Sequence, residues 1–226
     1  MKQFVYCFLL FFYFSCSLNK PSVSFITYKR VIIELDSGRL VEKLSLFLRF
    51  NDEDGTDDYE SMTLIKKGEG FYWHVTRDSS YFFKSNEDSK SSFLVGTNKI
   101  SYPFGKIPLG DYELLVSDMQ GNKVRSFFSI SDASNMTRLN AFLTINGERW
   151  EVEVKDESYY TYFYLLLLGA DKQPIFLNKL SVNKNSNISE TLESLKQSYP
   201  DARYIQLCAE NSLRTQGFIS KPLSIY

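Results

Sequence analysis

Leu44, Leu46, Leu48 and Phe50 recur at every second residue, the spacing of a strand with one buried face. Strand-like runs bounded by turns place further strands at 30–35, 61–65 and 71–76, the last two joined as a hairpin across the turn at 66–70. Tyr112, Leu114 and Val116 alternate along a further strand, residues 118–122 turn the chain, and 124–130 return. Residues 51–58 and 86–92 are polar and read as loops. No segment between 24 and 131 carries a helical period. Short strands punctuated by turns predict a sandwich, because each sheet needs a second to cover its apolar face. Residues 25–131 are therefore expected to form one β-sandwich domain.

After a polar joint at 131–136, strands at 139–145 and 148–154 flank Asn146-Gly147. That dipeptide tolerates positive φ at both places and predicts a type I′ hairpin, with Trp150, Val152 and Val154 on one face of the return strand. Residues 159–168 read as a central strand covered on both sides, pairing with 175–180 across the turn at 169–174. The period then changes. Ile188, Leu192 and Leu195 share one helical face, so a helix is expected near 189–198, capped by Ser189 and stopped by Pro200. Strands at 204–209 and 216–219 follow. Residues 137–226 predict a second β-rich domain, either a sandwich with one short helix or a small α+β domain. The fold class is all-β.

The N-terminus is patterned differently. Lys2 precedes an unbroken apolar and aromatic run from 4 to 14, closed by Ser15 and Cys16. A cation, a short apolar stretch and a small-residue stop predict a secretory signal peptide over residues 1–15. The run is shorter than the roughly 20 residues that a membrane-spanning helix needs. Residues 16–24 then form a polar tether. Charge narrows the partners: 26 Lys and Arg stand against 27 Asp and Glu, with no basic stripe, so no nucleic-acid partner is expected. With 15 Tyr and 19 Phe, the composition favours pleated, half-buried surfaces.

Tyr13-Phe14-Ser15-Cys16 resembles the lipobox of bacterial lipoproteins, in the looser form seen in spirochaetes, with Tyr13 and Phe14 where Leu and a small residue are usual. The resemblance implies that Cys16 is lipidated and anchors the chain to a membrane. Cys7 would leave with the signal, and Cys208 would then have no disulfide partner. Pro108-x-Gly110-x-Tyr112-x-Leu114-x-Val116-x-Asp118-x-x-Gly121-Asn122 resembles the closing hairpin of bacterial immunoglobulin-like sandwiches. Residues 93–130 as a whole are similar to a segment of treponemal lipoproteins. These likenesses imply an immunoglobulin-like first domain and an envelope address, and they carry no catalytic residues.

Few residues suggest chemistry. Asp52, Asp54 and Asp58 make a D-x-D-G-x-x-D pattern, oxygen ligands on a Gly-permitted turn, and are a candidate Ca²⁺ site. No other cofactor is expected. His74 is the only histidine and reads as a packed or rim residue, because no Cys cluster joins it for zinc. Tyr81, Phe82 and Phe83 border a loop, cannot all face inward, and are the candidate contact patch. Cys208 sits in an apolar-rich run and reads as a small buried hydrophobe. The expectation is a lipid-anchored, non-catalytic binding or structural module at the periplasmic face or cell surface, with an envelope or host protein as partner. An envelope hydrolase with an interdomain site and a surface adhesin are the alternatives.

Overall fold

The computed structural model describes residues 20–52, 56–84, 92–131, 140–155, 159–182 and 185–226. Cys16, Asp54, the loop at 85–91 and most of the joint at 131–136 lie outside the described residues. The protein is all-β and sandwich-like, with one α-helix among the described residues. It divides into two compact units, and they are not the consecutive halves expected. Among the described residues, unit 1 holds those within Met1–Thr27, Leu46–Thr97 and Leu109–Ser131, and unit 2 those within Tyr28–Ser45, Asn98–Pro108 and Asp132–Tyr226. The expected division near residue 131 misses this, because segments 28–45 and 98–108 pack with the C-terminal strands.

Unit 1 takes parts of β1 (Ser22–Glu34), β2 (Leu40–Asn51) and β6 (Ser92–Ser101), which form one sheet with β5 (Tyr81–Lys84) in the order β1-β2-β6-β5. Its second sheet has the order β4-β3-β7-β8, from β3 (Tyr59–Lys66), β4 (Phe71–Thr76), β7 (Gly110–Asp118) and β8 (Lys123–Ile130). The expected hairpins are present, with Lys66 opposite Phe71 and Ser117 opposite Lys123. Leu46, Leu48 and Phe50 of one sheet and Tyr59, Met62, Leu64, Leu114 and Val116 of the other are all fully buried. The Phe50 and Tyr59 rings cross edge-on at 5.6 Å, where the aromatic quadrupole favours them. Gly96 is required by the packing: a Cβ there would collide with the Leu46 carbonyl oxygen and the Phe47 ring. The tether is shorter than expected, since residues 22–24 already belong to β1, where Asn51 Nδ2 donates to Ser24 Oγ at 3.0 Å.

Unit 2 opens with the hairpin of β9 (Ala141–Asn146) and β10 (Arg149–Val154). Its turn is one residue later than the I′ expectation. Asn146 pairs with Arg149, so the loop is Gly147-Glu148, and only Gly147 has positive φ, as in a type II′ turn. A sheet in the order β12-β11-β14-β15 is built from β11 (Tyr162–Leu168), β12 (Pro174–Leu180), β14 (Tyr204–Glu210) and β15 (Gln216–Ile219). β16 (Leu223–Ser224) pairs with β14, and β15 runs parallel to β1, with Arg30 opposite Gln216. β11 is interior, but its Phe163, Leu165 and Leu167 side is fully buried while Tyr162, Tyr164 and Leu166 are half-buried. The expected helix starts late. Residues from Ser186 to Thr191 form β13 on the edge of β10, so α1 spans only Leu192–Ser198 and is capped by Thr191 Oγ1, not Ser189. Ile188 therefore reaches the core from a strand, and Leu192 and Leu195 from the helix.

The alternation of β2 extends one step beyond the apolar run. Glu42 keeps the inward parity, is buried, and receives Arg30 Nε at 2.5 Å and the Ile107 N–H at 2.8 Å. Burying a charge is tolerable when an opposite charge and hydrogen bonds meet it, as here within unit 2.

Candidate functional site

The acidic loop reads differently in three dimensions. Asp52 follows β2, Asp58 closes a 3₁₀ turn over Thr56–Asp58, and Asp118 ends β7. Carboxylate oxygens of the three lie within 4.8 Å of one another. Two of the expected Ca²⁺ ligands, Asp52 and Asp58, are thus brought together, and Asp54 lies outside the described residues. The spacing within the acidic loop does not point to Asp118. Its signal was parity: Tyr112, Leu114 and Val116 face inward, and Asp118 is the next position on that face. Asp118 is fully buried and holds its own turn, Oδ1 accepting from the Gln120 and Asn122 amides at 3.0 and 2.7 Å, and Oδ2 from Asn122 Nδ2 at 2.8 Å. The Met119 amide donates to the Asp58 carbonyl at 2.7 Å, which ties that turn to the acidic loop. A carboxylate has about four acceptor sites, so Asp118 retains capacity for a cation after three hydrogen bonds. Hard oxygen ligands gathered in this way suit Ca²⁺ or Mg²⁺.

The outward face of β4-β3-β7-β8 is organised in cross-strand rows. One row runs Tyr72, Ile65, Glu113, Phe127, and the next runs His74, Thr63, Leu115, Arg125. Tyr72 is 64% exposed and Phe127 60%. They sit on the two outer strands, with Ile65 and Leu115 half-buried between. The polar members are paired: Thr63 Oγ1 is 3.0 Å from His74 Nδ1, and Arg125 Nε is 3.5 Å from Glu113. Lys67 Nζ lies 4.2 Å from the Phe127 ring centroid and steadies that ring. His74, expected as a packed or rim residue, is an exposed member of this face.

The Tyr81-Phe82-Phe83 patch divides between the two faces of edge strand β5. Phe82 packs on Tyr59 at 5.5 Å and Phe93 at 5.9 Å, under the Arg77 guanidinium. Tyr81 and Phe83 turn the other way, and Phe83 lies 6.0 Å from Phe47. In unit 2, a groove of about 820 Å³ runs beside α1 past Leu192, Lys196 and Tyr226, whose ring carries Lys196 Nζ at 4.3 Å and Arg203 Cζ at 4.7 Å. Cys208 is half-buried on β14, and burial, then the Glu210 charge, push its thiol up to about 12. At neutral pH it is a protonated thiol and a poor nucleophile.

No family model matches the chain, and no curated protein matches it. Solved structures align with it only remotely. Dimeric latent PorU from Porphyromonas gingivalis aligns with a TM-score of 0.35 and 11% identity over 91% of this chain. A 1.5-MDa bacterial ice-binding adhesin aligns at 0.26 and 12% over 89%, and Bacteroides ovatus SGBP-B, in complex with a mixed-linkage heptasaccharide, at 0.27 and 11% over 87%. The chain spans 20%, 63% and 60% of those three chains. Likenesses this remote leave function to the residues of the chain itself.

Proposed function

We propose that this chain is a non-catalytic binding module of the bacterial cell envelope, exported by residues 1–15 and held to a membrane through a lipid on Cys16, as in treponemal-type spirochaete lipoproteins. The observation that carries the binding role is the outward face of β4-β3-β7-β8. Tyr72 and Phe127 stand there largely exposed in one row, where unit 1 gains no core packing from them. Large aromatics displayed this way lose contact with water only when a partner covers them. In this reading the acidic centre is structural. A Ca²⁺ ion between Asp52, Asp58 and Asp118 would lock the loop after β2 to the turn after β7.

The address is tested by intact mass of the mature protein from its native membrane, beside a Cys16→Ala form. An acylated chain starting at Cys16 is expected, and an unmodified start elsewhere would overturn the anchor. The binding role is tested with the unanchored Cys16→Ala protein on envelope fragments of its native cells. Saturable retention is expected. Passage through the fragments at the rate of an unrelated β-protein would overturn the reading.

A further inference from the structure

The geometry points to a ligand class for the face just proposed: an uncharged, extended oligosaccharide lying across β4-β3-β7-β8, stacked on Tyr72 at one rim and Phe127 at the other. The inference rests on the binding-module reading and specifies its ligand.

Three features of the face select this occupant. The first is spacing. Neighbouring strands are about 4.8 Å apart, close to the length of one sugar unit in an extended chain. Tyr72, Ile65, Glu113 and Phe127 lie one per strand across four strands. A chain crossing them would place successive sugars over successive strands, with the outer two on the exposed rings. The C–H bonds of a pyranose carry partial positive charge and pack against the negative face of an aromatic ring. The second feature is charge. The carboxylate of Glu113 and the guanidinium of Arg125 neutralise each other across 3.5 Å. Together they offer acceptors and donors with no net charge, which matches hydroxyl groups, and the Lys67 ammonium beside the row is engaged by the Phe127 ring. Thr63 and His74 add a second hydrogen-bonding pair in the adjacent row.

The third feature is size. The two rows cover three strand spacings by one side-chain step, about 300 Å² once side-chain widths are included. A protein partner would need about 800 Å² on this side. The patch is too small for a stable protein interface and adequate for a short glycan. Lys67 Nζ lies over one face of Phe127 and fixes that ring, so less freedom is lost on binding.

The test is calorimetric titration of the full exported protein with five uncharged hexasaccharides: cellohexaose, laminarihexaose, xylohexaose, mannohexaose and chitohexaose. At least one is expected to bind saturably. Tyr72→Ala and Phe127→Ala should each weaken it at least tenfold, and Glu113→Gln by a few-fold. Phe142→Ala, which removes an exposed ring in unit 2, should leave it unchanged. Near-ultraviolet circular dichroism of each variant confirms that the fold persists. Binding that survives both aromatic substitutions overturns the assignment of the face. If no hexasaccharide binds while envelope fragments still retain the protein, the ligand class is wrong and the module reading stands. If neither binds, both fall.

Discussion

The two sides of the β4-β3-β7-β8 sheet are written by the same strands and do opposite things. Inward, Met62, Leu64, Val75, Tyr112, Leu114 and Val116 are buried almost completely. Outward, the intervening positions carry Tyr72, Thr63, Ile65, Glu113, Leu115, Arg125 and Phe127. The inner residues are explained by burial, each contributing about 1.5–3 kcal/mol. The outer aromatics are not, since most of their surface stays in water. Parity along a strand therefore separates residues that hold the fold from residues that remain available for a partner.

That separation predicts a double dissociation. Leu114→Ala should cost about 2–5 kcal/mol in denaturant unfolding by leaving a cavity, while folded protein keeps its ligand affinity. Tyr72→Ala should do the reverse, shifting stability within about 0.5 kcal/mol while removing retention on envelope fragments. Equal losses of stability and binding in both variants would erase the distinction between the faces.

Buried charge extends the comparison to unit 2. Glu42→Ala strips the buried Arg30 of its carboxylate and should cost about 3–5 kcal/mol, with no effect on a face built in unit 1. A near-neutral Glu42→Ala in chemical denaturation would mean that this pair contributes little.

Alkaline pH should loosen both units. Burial pushes the Tyr59 and Tyr160 hydroxyls up to about 12 from 10.0, and Cys208 from 9.0 to about 12. Each group is protonated in the folded chain and ionises earlier when unfolded, so the unfolded state binds fewer protons above pH 9. Stability from these groups is fully present below pH 9 and is lost as pH rises toward 12. Equilibrium unfolding across that range should show the fall; a flat profile would contradict the burial of these groups. The smallest effect expected is calcium's. A site in unit 1 adds about 1.4 kcal/mol at ten times its Kd, seen as a rise in melting temperature that Asp52→Asn abolishes. No shift and no heat of binding would dismiss the ion.

Much of this organisation was legible in the sequence where it is local. Period-2 runs located β2, β7 and β10, and turn residues located the hairpins between neighbouring strands, β3 with β4 among them. What escaped depends on contacts distant along the chain. The parallel pairing of β1 with β15 joins residues nearly two hundred apart, and no local pattern encodes that choice. It also explains why residues 28–45 belong with the C-terminal strands. The helix is shorter than its sequence period suggests because Ile188 satisfies a helical period and a strand parity at once, and pairing with β10 decides between them. At the site, the sequence pointed to Asp52 and Asp58, but Asp118 joined them only through the pairing of β3 with β7. The exposed row escaped for the same reason, since Tyr72 and Phe127 become neighbours across a face only when four strands align.

The most direct test joins two readings on one protein, the double variant Tyr72→Ala, Phe127→Ala in the unanchored Cys16→Ala background. Its melting temperature and its retention on native envelope fragments are measured beside the parent. The account predicts an essentially unchanged melting temperature and lost retention. Full retention by the folded double variant would contradict it, and would move the binding site away from this face.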